Sequence, residues 1–151
     1  SLGALNVLAQ NKRGFFLMIE GGAVDWANHA NQPGRMVEEA DDFLRALEAV
    51  CSWVEKNGGW KQTLVIVTAD HETGLVLGPK VGGKPTQTPI ASGKGQMPKL
   101  SHNSGGHTNS LVPIFARGPG AERVRSLAKG TDPVLGKYIQ NTDIFRLMIG
   151  K

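Results

Sequence analysis

Two continuous apolar runs frame this chain: FFLMIE at residues 15–20 and TLVIV at residues 63–67, with one long amphipathic stretch between them. Apolar runs of this length without polar alternation suit strands buried on both faces. From Arg35 to Asn57 the residues Val37, Ala40, Phe43, Leu44, Leu47, Val50, Cys51 and Val54 recur at three and four, the period of one buried helix face. Pro33 and Gly34 punctuate the chain before that helix, and NGG at 57–59 closes it. Strand, long helix, strand is a crossover unit. The expected pairing is therefore parallel, and the expected class is α/β, a mostly parallel sheet flanked by helices.

The remaining elements fit around that frame. Leu2, Leu5 and Leu8 are spaced for a short amphipathic helix. From about 78 to 100 the composition turns to Gly, Pro, Lys, Thr and Gln, a polar insertion that reads as a flexible loop or weak hairpin. LVPIFARG at 111–118 reads as a third strand, and Thr142 stands where it would cap a closing helix, DIFRLMI. With 151 residues and no repeat or interior linker, the chain is expected to form a single domain. Its net charge of +4 comes from scattered basic residues, not a basic stripe interleaved with aromatics, so nucleic acid is not an expected partner. No apolar run reaches the roughly 18 residues of a membrane span. The single cysteine, Cys51, excludes an intrachain disulfide. The chain starts without Met, which gives the expectation that it continues upstream.

Acids and imidazoles collect where the apolar runs stop. Glu20 ends the first run, and Asp25 and His29 follow within nine residues. Asp70 and His71 end the second, and His107 stands in SGGHTNS just before the third. The carboxyl edge of an open parallel sheet is where ligands bind, so three separate pieces of chain are expected to meet on one rim. Asp25 and His29 are four apart and share one face if their segment is helical. That pair suits zinc, with His107 as a third ligand and one position left open. Asp70 and His71, at a strand end turning into a glycine-containing loop, suit a second ion, and Glu20, a lone hard oxygen donor, suits magnesium.

Each residue also has an ordinary reading. Asp25 could be a helix cap, Asp70 and His71 a turn pair, Glu20 a capping or salt-bridge carboxylate, and His107 a loop histidine. Their joint occurrence favours the metal reading, because three of only four histidines fall in these clusters. The fourth, His102, sits in a Ser, Asn and Gly-rich loop and reads as a solvated histidine. The helix face carrying Glu38, Glu39, Asp41, Asp42, Arg45 and Glu48 reads as solvated surface.

The stretches GFFLMIEGGAVDWANHAN, LVIVTADHETG and GGHTNSLVPIFARGPGA, in that order and spacing, closely resemble the C-terminal half of the alkaline phosphatases. The likeness runs from about Gly14 to Gly120, and the closing NTDIFRLM is also typical. It implies that residues 1–151 are the C-terminal segment of a single alkaline phosphatase domain, with a partial fold of that type and a polar insertion at about 78–100. It implies phosphomonoester hydrolysis with two zinc ions and one magnesium. Asp25, His29 and His107 would bind one zinc, Asp70 and His71 the second, and Glu20 the magnesium. The serine nucleophile of such enzymes lies upstream in a DSA-type stretch. Ser52, Ser92, Ser101, Ser104 and Ser110 all lack that context, so this chain alone is expected to be inactive. Trp26 stands where some members carry Lys or His. The resemblance further implies a homodimeric full-length protein, periplasmic or secreted. The alternative is a metal-binding or assembly module without catalysis.

Overall fold

The computed structural model describes residues 1–149. In chain order the elements are α1 (Leu2–Leu8), α2 (Ala23–His29), α3 (Pro33–Lys56), a single 3-10 turn (Gly59–Lys61), β1 (Val65–Val67), β2 (Glu72–Thr73), β3 (Lys80–Val81), β4 (Lys84–Pro85), β5 (His107–Thr108), β6 (Phe115–Arg117), α4 (Arg123–Leu127), β7 (Gly130–Asp132), β8 (Gly136–Tyr138) and α5 (Asp143–Met148). They divide into two compact units. One holds residues 1–53 and 73–108; the other holds residues 54–72 and the chain from 109 onward.

In the first unit α1 forms over the expected leucines and buries Leu5. Helix α3 begins two residues earlier than its apolar period suggests. Pro33 does not punctuate ahead of the helix but opens it, since the first helical N–H has no partner in any case and proline lacks one. The apolar stripe of α3 is mostly half-buried and its acidic face is largely exposed, with Arg45 Nη2 2.8 Å from Asp41 one turn away. Trp53 meets the Phe15 ring edge-on, with centroids 6.1 Å apart, and donates from Nε1 to Asn6 Oδ1 at 2.9 Å.

Residues 15–20 differ from expectation. They belong to no ladder among the described residues. Their side chains still alternate: Leu17 and Ile19 are half-buried, whereas Phe16 is 69% and Met18 75% exposed. A strand is stabilised by a neighbour's N–H and C=O groups, and no described segment supplies them here. The polar insertion is the weak hairpin foreseen as one possibility: β3 and β4 pair antiparallel across Gly82 and Gly83, both at positive φ as a type I′ turn requires. Antiparallel bridges from Leu77 to Ser101 and from Ile90 to Lys99 tie the rest of the insertion together.

In the second unit the mostly parallel sheet is not seen; the described strands form two-stranded sheets. The second apolar run, β1, pairs antiparallel with β6, Val65 opposite Arg117 and Val67 opposite Phe115. Thr68 extends that pairing by donating from Oγ1 to Pro113 O at 3.0 Å. The third strand is short because Pro113 has no N–H for a ladder, so LVPI lies outside β6. Val54 is the most deeply buried large side chain of this unit, at 1% exposure. Hairpin β7–β8 and helices α4 and α5 complete the unit. Thr142 takes the cap position of α5 without a side-chain hydrogen bond; Asp143 Oδ2 instead accepts from Gln140 N at 3.0 Å. No described helix is long and apolar enough to cross a membrane.

Candidate metal centre

The first unit brings together three of the six expected ligands. Gly22 occupies the cap position of α2, so Asp25 is not the cap; it lies in the first turn and His29 in the last. The spacing of four places His29 Nε2 3.5 Å from Asp25 Oδ2. His107, at the start of β5, comes from 78 residues further along the chain to set its Nε2 3.0 Å from His29 Nε2. It also lies 3.6 Å from Asp25 Oδ1. The two imidazole nitrogens thus lie 3.0 Å apart, and each faces a different oxygen of the one Asp25 carboxylate, at 3.5 and 3.6 Å. A tetrahedral ion with bonds of 2.0–2.1 Å separates its ligand atoms by about 3.3 Å. The donor set fits such an ion in both chemistry and spacing.

Neighbouring groups aim these donors. His29 Nδ1 lies 2.8 Å from the Gly105 carbonyl, which can only accept, so the proton sits on Nδ1 and the neutral ring keeps a bare lone pair on Nε2. Asp25 Oδ1 accepts from the Thr73 hydroxyl at 2.6 Å, the short distance typical of a hydroxyl on a carboxylate. Thr73 is 7% exposed, while Asp25 and His107 are 33% and 48% exposed in their side chains. Thr73 is therefore buried, and the candidate ligand side chains are a third to a half exposed. Thr73 and Gly105 escape sequence reasoning because each acts on a residue more than forty positions away, for which a single sequence carries no signal.

The remaining candidates have the following surroundings within their own units. Glu20 opens on a cavity of about 260 Å³ that Glu39, Asp42 and Phe43 of α3 also line; Asp25, His29 and His107 are not part of its wall. Asp70 and His71 follow β1 in the second unit, with His71 Nε2 3.5 Å from Asp70 Oδ2. Asp70 is 89% exposed in its side chain and His71 31%. His102 is not the solvated histidine expected of its loop. It is half-buried, and its Nε2 lies 2.9 Å from Asn28 Oδ1.

The alkaline phosphatase family model matches residues 2–100. Alkaline phosphatase 4 of Bacillus subtilis strain 168 is 30% identical over 189 residues, covering 87% of this chain and 40% of that protein. The alkaline phosphatase of Escherichia coli K12 is 32% identical over 135 residues, covering 85% of this chain and 28% of its own length. A mutant alkaline phosphatase from the Antarctic bacterium TAB5, solved with magnesium bound, superposes with a TM-score of 0.70 at 30% identity, covering 97% of this chain and 38% of that one. The chain thus spans less than half the length of the relatives it matches. With a family match over most of its residues and a shared fold at this identity, the chain belongs to the alkaline phosphatase family.

Proposed function

We propose that this chain is the C-terminal segment of a phosphomonoesterase that uses two zinc ions and one magnesium, and that it carries most of the metal ligands without the serine nucleophile. The observation that carries the reading is the convergence of Asp25, His29 and His107, with the two imidazole nitrogens 3.0 Å apart and each 3.5 to 3.6 Å from one oxygen of the carboxylate. Asp25, His29 and His107 would hold one zinc, Asp70 and His71 would contribute to the second, and Glu20 would bind magnesium. The last two assignments rest on the family's motifs. In the whole protein, residues 15–20 would be an inner strand of a mostly parallel sheet. That reading is supported by their alternating exposure and by backbone groups that no ladder uses.

When bound, a zinc pair supplies positive charge that activates the attacking oxygen and steadies the leaving one during in-line displacement at phosphorus. This chain's residues prepare that site. The Gly105 carbonyl holds the proton of His29 on Nδ1, so Nε2 meets a cation unprotonated. The Thr73 hydroxyl fixes one oxygen of Asp25, whose negative charge offsets part of the cation's. The side chains of Asp25, His29 and His107 stay a third to a half exposed, which leaves room for a phosphate monoester and water. On the strength of the family resemblance, the whole protein would act as a homodimer, periplasmic or secreted.

The test is hydrolysis of p-nitrophenyl phosphate by the protein with its upstream segment and by this chain alone, each with zinc and magnesium. The longer protein should turn over the ester and lose activity to a chelator, and this chain should not turn it over. No turnover by the longer protein would overturn the phosphatase reading and leave the non-catalytic metal module. Turnover by this chain would overturn the placement of the nucleophile.

A further inference from the structure

We propose that His102 is a positioning residue of the candidate zinc site, acting through Asn28 to fix the last turn of α2 and with it the aim of His29. The inference rests on the metal-site reading above. Asn28 is 8% exposed, and a buried amide is costly unless it is hydrogen-bonded. Its Oδ1 lies 2.9 Å from His102 Nε2, and an amide oxygen only accepts, so the ring carries its proton on Nε2 and donates. Asn28 immediately precedes His29, so a tether on one side chain limits rolling of the turn that bears both. An imidazole nitrogen about 6 Å from a helix axis moves about 1 Å for a roll of 10°, and a metal site tolerates about 0.5 Å.

His102 can hold that turn because it is itself held. Gly74 has φ +89°, and a Cβ there would stand 2.9 Å from His102 Cδ2 and 3.2 Å from the Asn28 carbonyl. Only glycine lets the ring, the helix end and the strand exit pack this closely. The Gly74 carbonyl accepts from Asn103 N at 2.9 Å and Ser104 N at 3.0 Å, and the Asn103 amide donates to Leu75 O and Ser101 O, both at 3.1 Å. Asn31, with its amide nitrogen turned toward the helix end, donates to Asn28 O at 2.9 Å and Ser104 O at 2.8 Å. The loop that presents the Gly105 carbonyl and His107 is therefore bound to the end of α2 at His102 and again at Asn31. The donor set closes only if those two pieces keep one register.

The experiment is cobalt(II) titration of the full chain, read by the visible bands of four-coordinate cobalt. The signal absent from a His107→Ala reference is assigned to this site. His102→Leu should weaken cobalt binding about tenfold and dim the bands. His102→Gln, close in volume but offering an amide N–H near the place of Nε2, should recover affinity to within about threefold of wild type. Asn28→Ala cuts the same bond from the other side and replaces the Leu variant if that variant does not fold, with the same expectation. Wild-type affinity and spectrum in the bond-breaking variant would overturn the proposal, as would an equal loss in the Gln variant. No cobalt signal from the wild-type chain would overturn the metal-site reading itself.

Discussion

Replacing Thr73 by Val tests whether Asp25 is held in place or is merely nearby. The two side chains are close in shape, so the change removes the hydroxyl that donates to Asp25 Oδ1 at 2.6 Å and little else. A hydrogen bond to a charged group contributes about 1.5–3 kcal/mol where water cannot replace it. Thr73 is 7% exposed but the Asp25 side chain is 33% exposed, so water can reach the carboxylate once the hydroxyl is gone. The cost to the metal-free chain should fall to about 1 kcal/mol, read from urea unfolding. The effect on zinc should be larger than that figure suggests, because an unanchored carboxylate must be ordered when the ion binds. Loss of an outer partner of this kind weakens binding by about 10- to 100-fold, read by competition with a chromophoric chelator. Thr73→Ser keeps the hydroxyl and should stay within a few-fold of wild type. Zinc affinity equal in the Val and Thr forms would refute the claim that Thr73 orients Asp25.

Two further predictions concern the second unit. Val54→Ala removes two methyl groups from a side chain 1% exposed and should cost about 2 kcal/mol, seen as a lower urea midpoint at unchanged slope; no shift would mean that the helix end does not pack as described. Asp132 Oδ1 accepts from Leu135 N at 2.7 Å and Val134 N at 2.8 Å, and these bonds, led by Leu135, hold its carboxyl below the ordinary carboxylate value. Its contribution to the β7–β8 turn should be complete above about pH 4 and lost as pH falls through the lowered value. Hydrogen exchange at the Val134 and Leu135 amides should accelerate over that range beyond the intrinsic rate. Asp132→Asn should remove the extra pH dependence, and a wild-type profile in that variant would refute the assignment.

Local signals in the sequence carried α1, α3 and α5 and the spacing of the donors in α2, whereas α4 gave no such signal. The three-and-four period of α3 and the Asp25–His29 spacing are properties of one contiguous segment, and both appear as read. Pairing partners were less legible. The apolar run in β1 says that the strand is covered, but its ladder depends on which distant segment returns beside it, and that segment proves to be antiparallel β6. The run at 15–20 has the composition of a strand without the neighbour that makes one. His107 was found because histidine is rare in this chain, whereas Thr73, Gly105 and Asn28 are ordinary residues whose roles exist only in three dimensions. His102 escapes for a related reason: a polar loop is expected to be wet, but this one is bound through its backbone to Leu77 and Gly74 and through the His102 ring to the Asn28 side chain.

Anomalous diffraction from a zinc-loaded crystal, collected on both sides of the zinc edge, tests the account most directly. The account predicts a zinc peak about 2.0–2.2 Å from His29 Nε2, His107 Nε2 and a carboxylate oxygen of Asp25. Zinc bound only elsewhere on the chain, or no peak among those three side chains at saturating zinc, would contradict it.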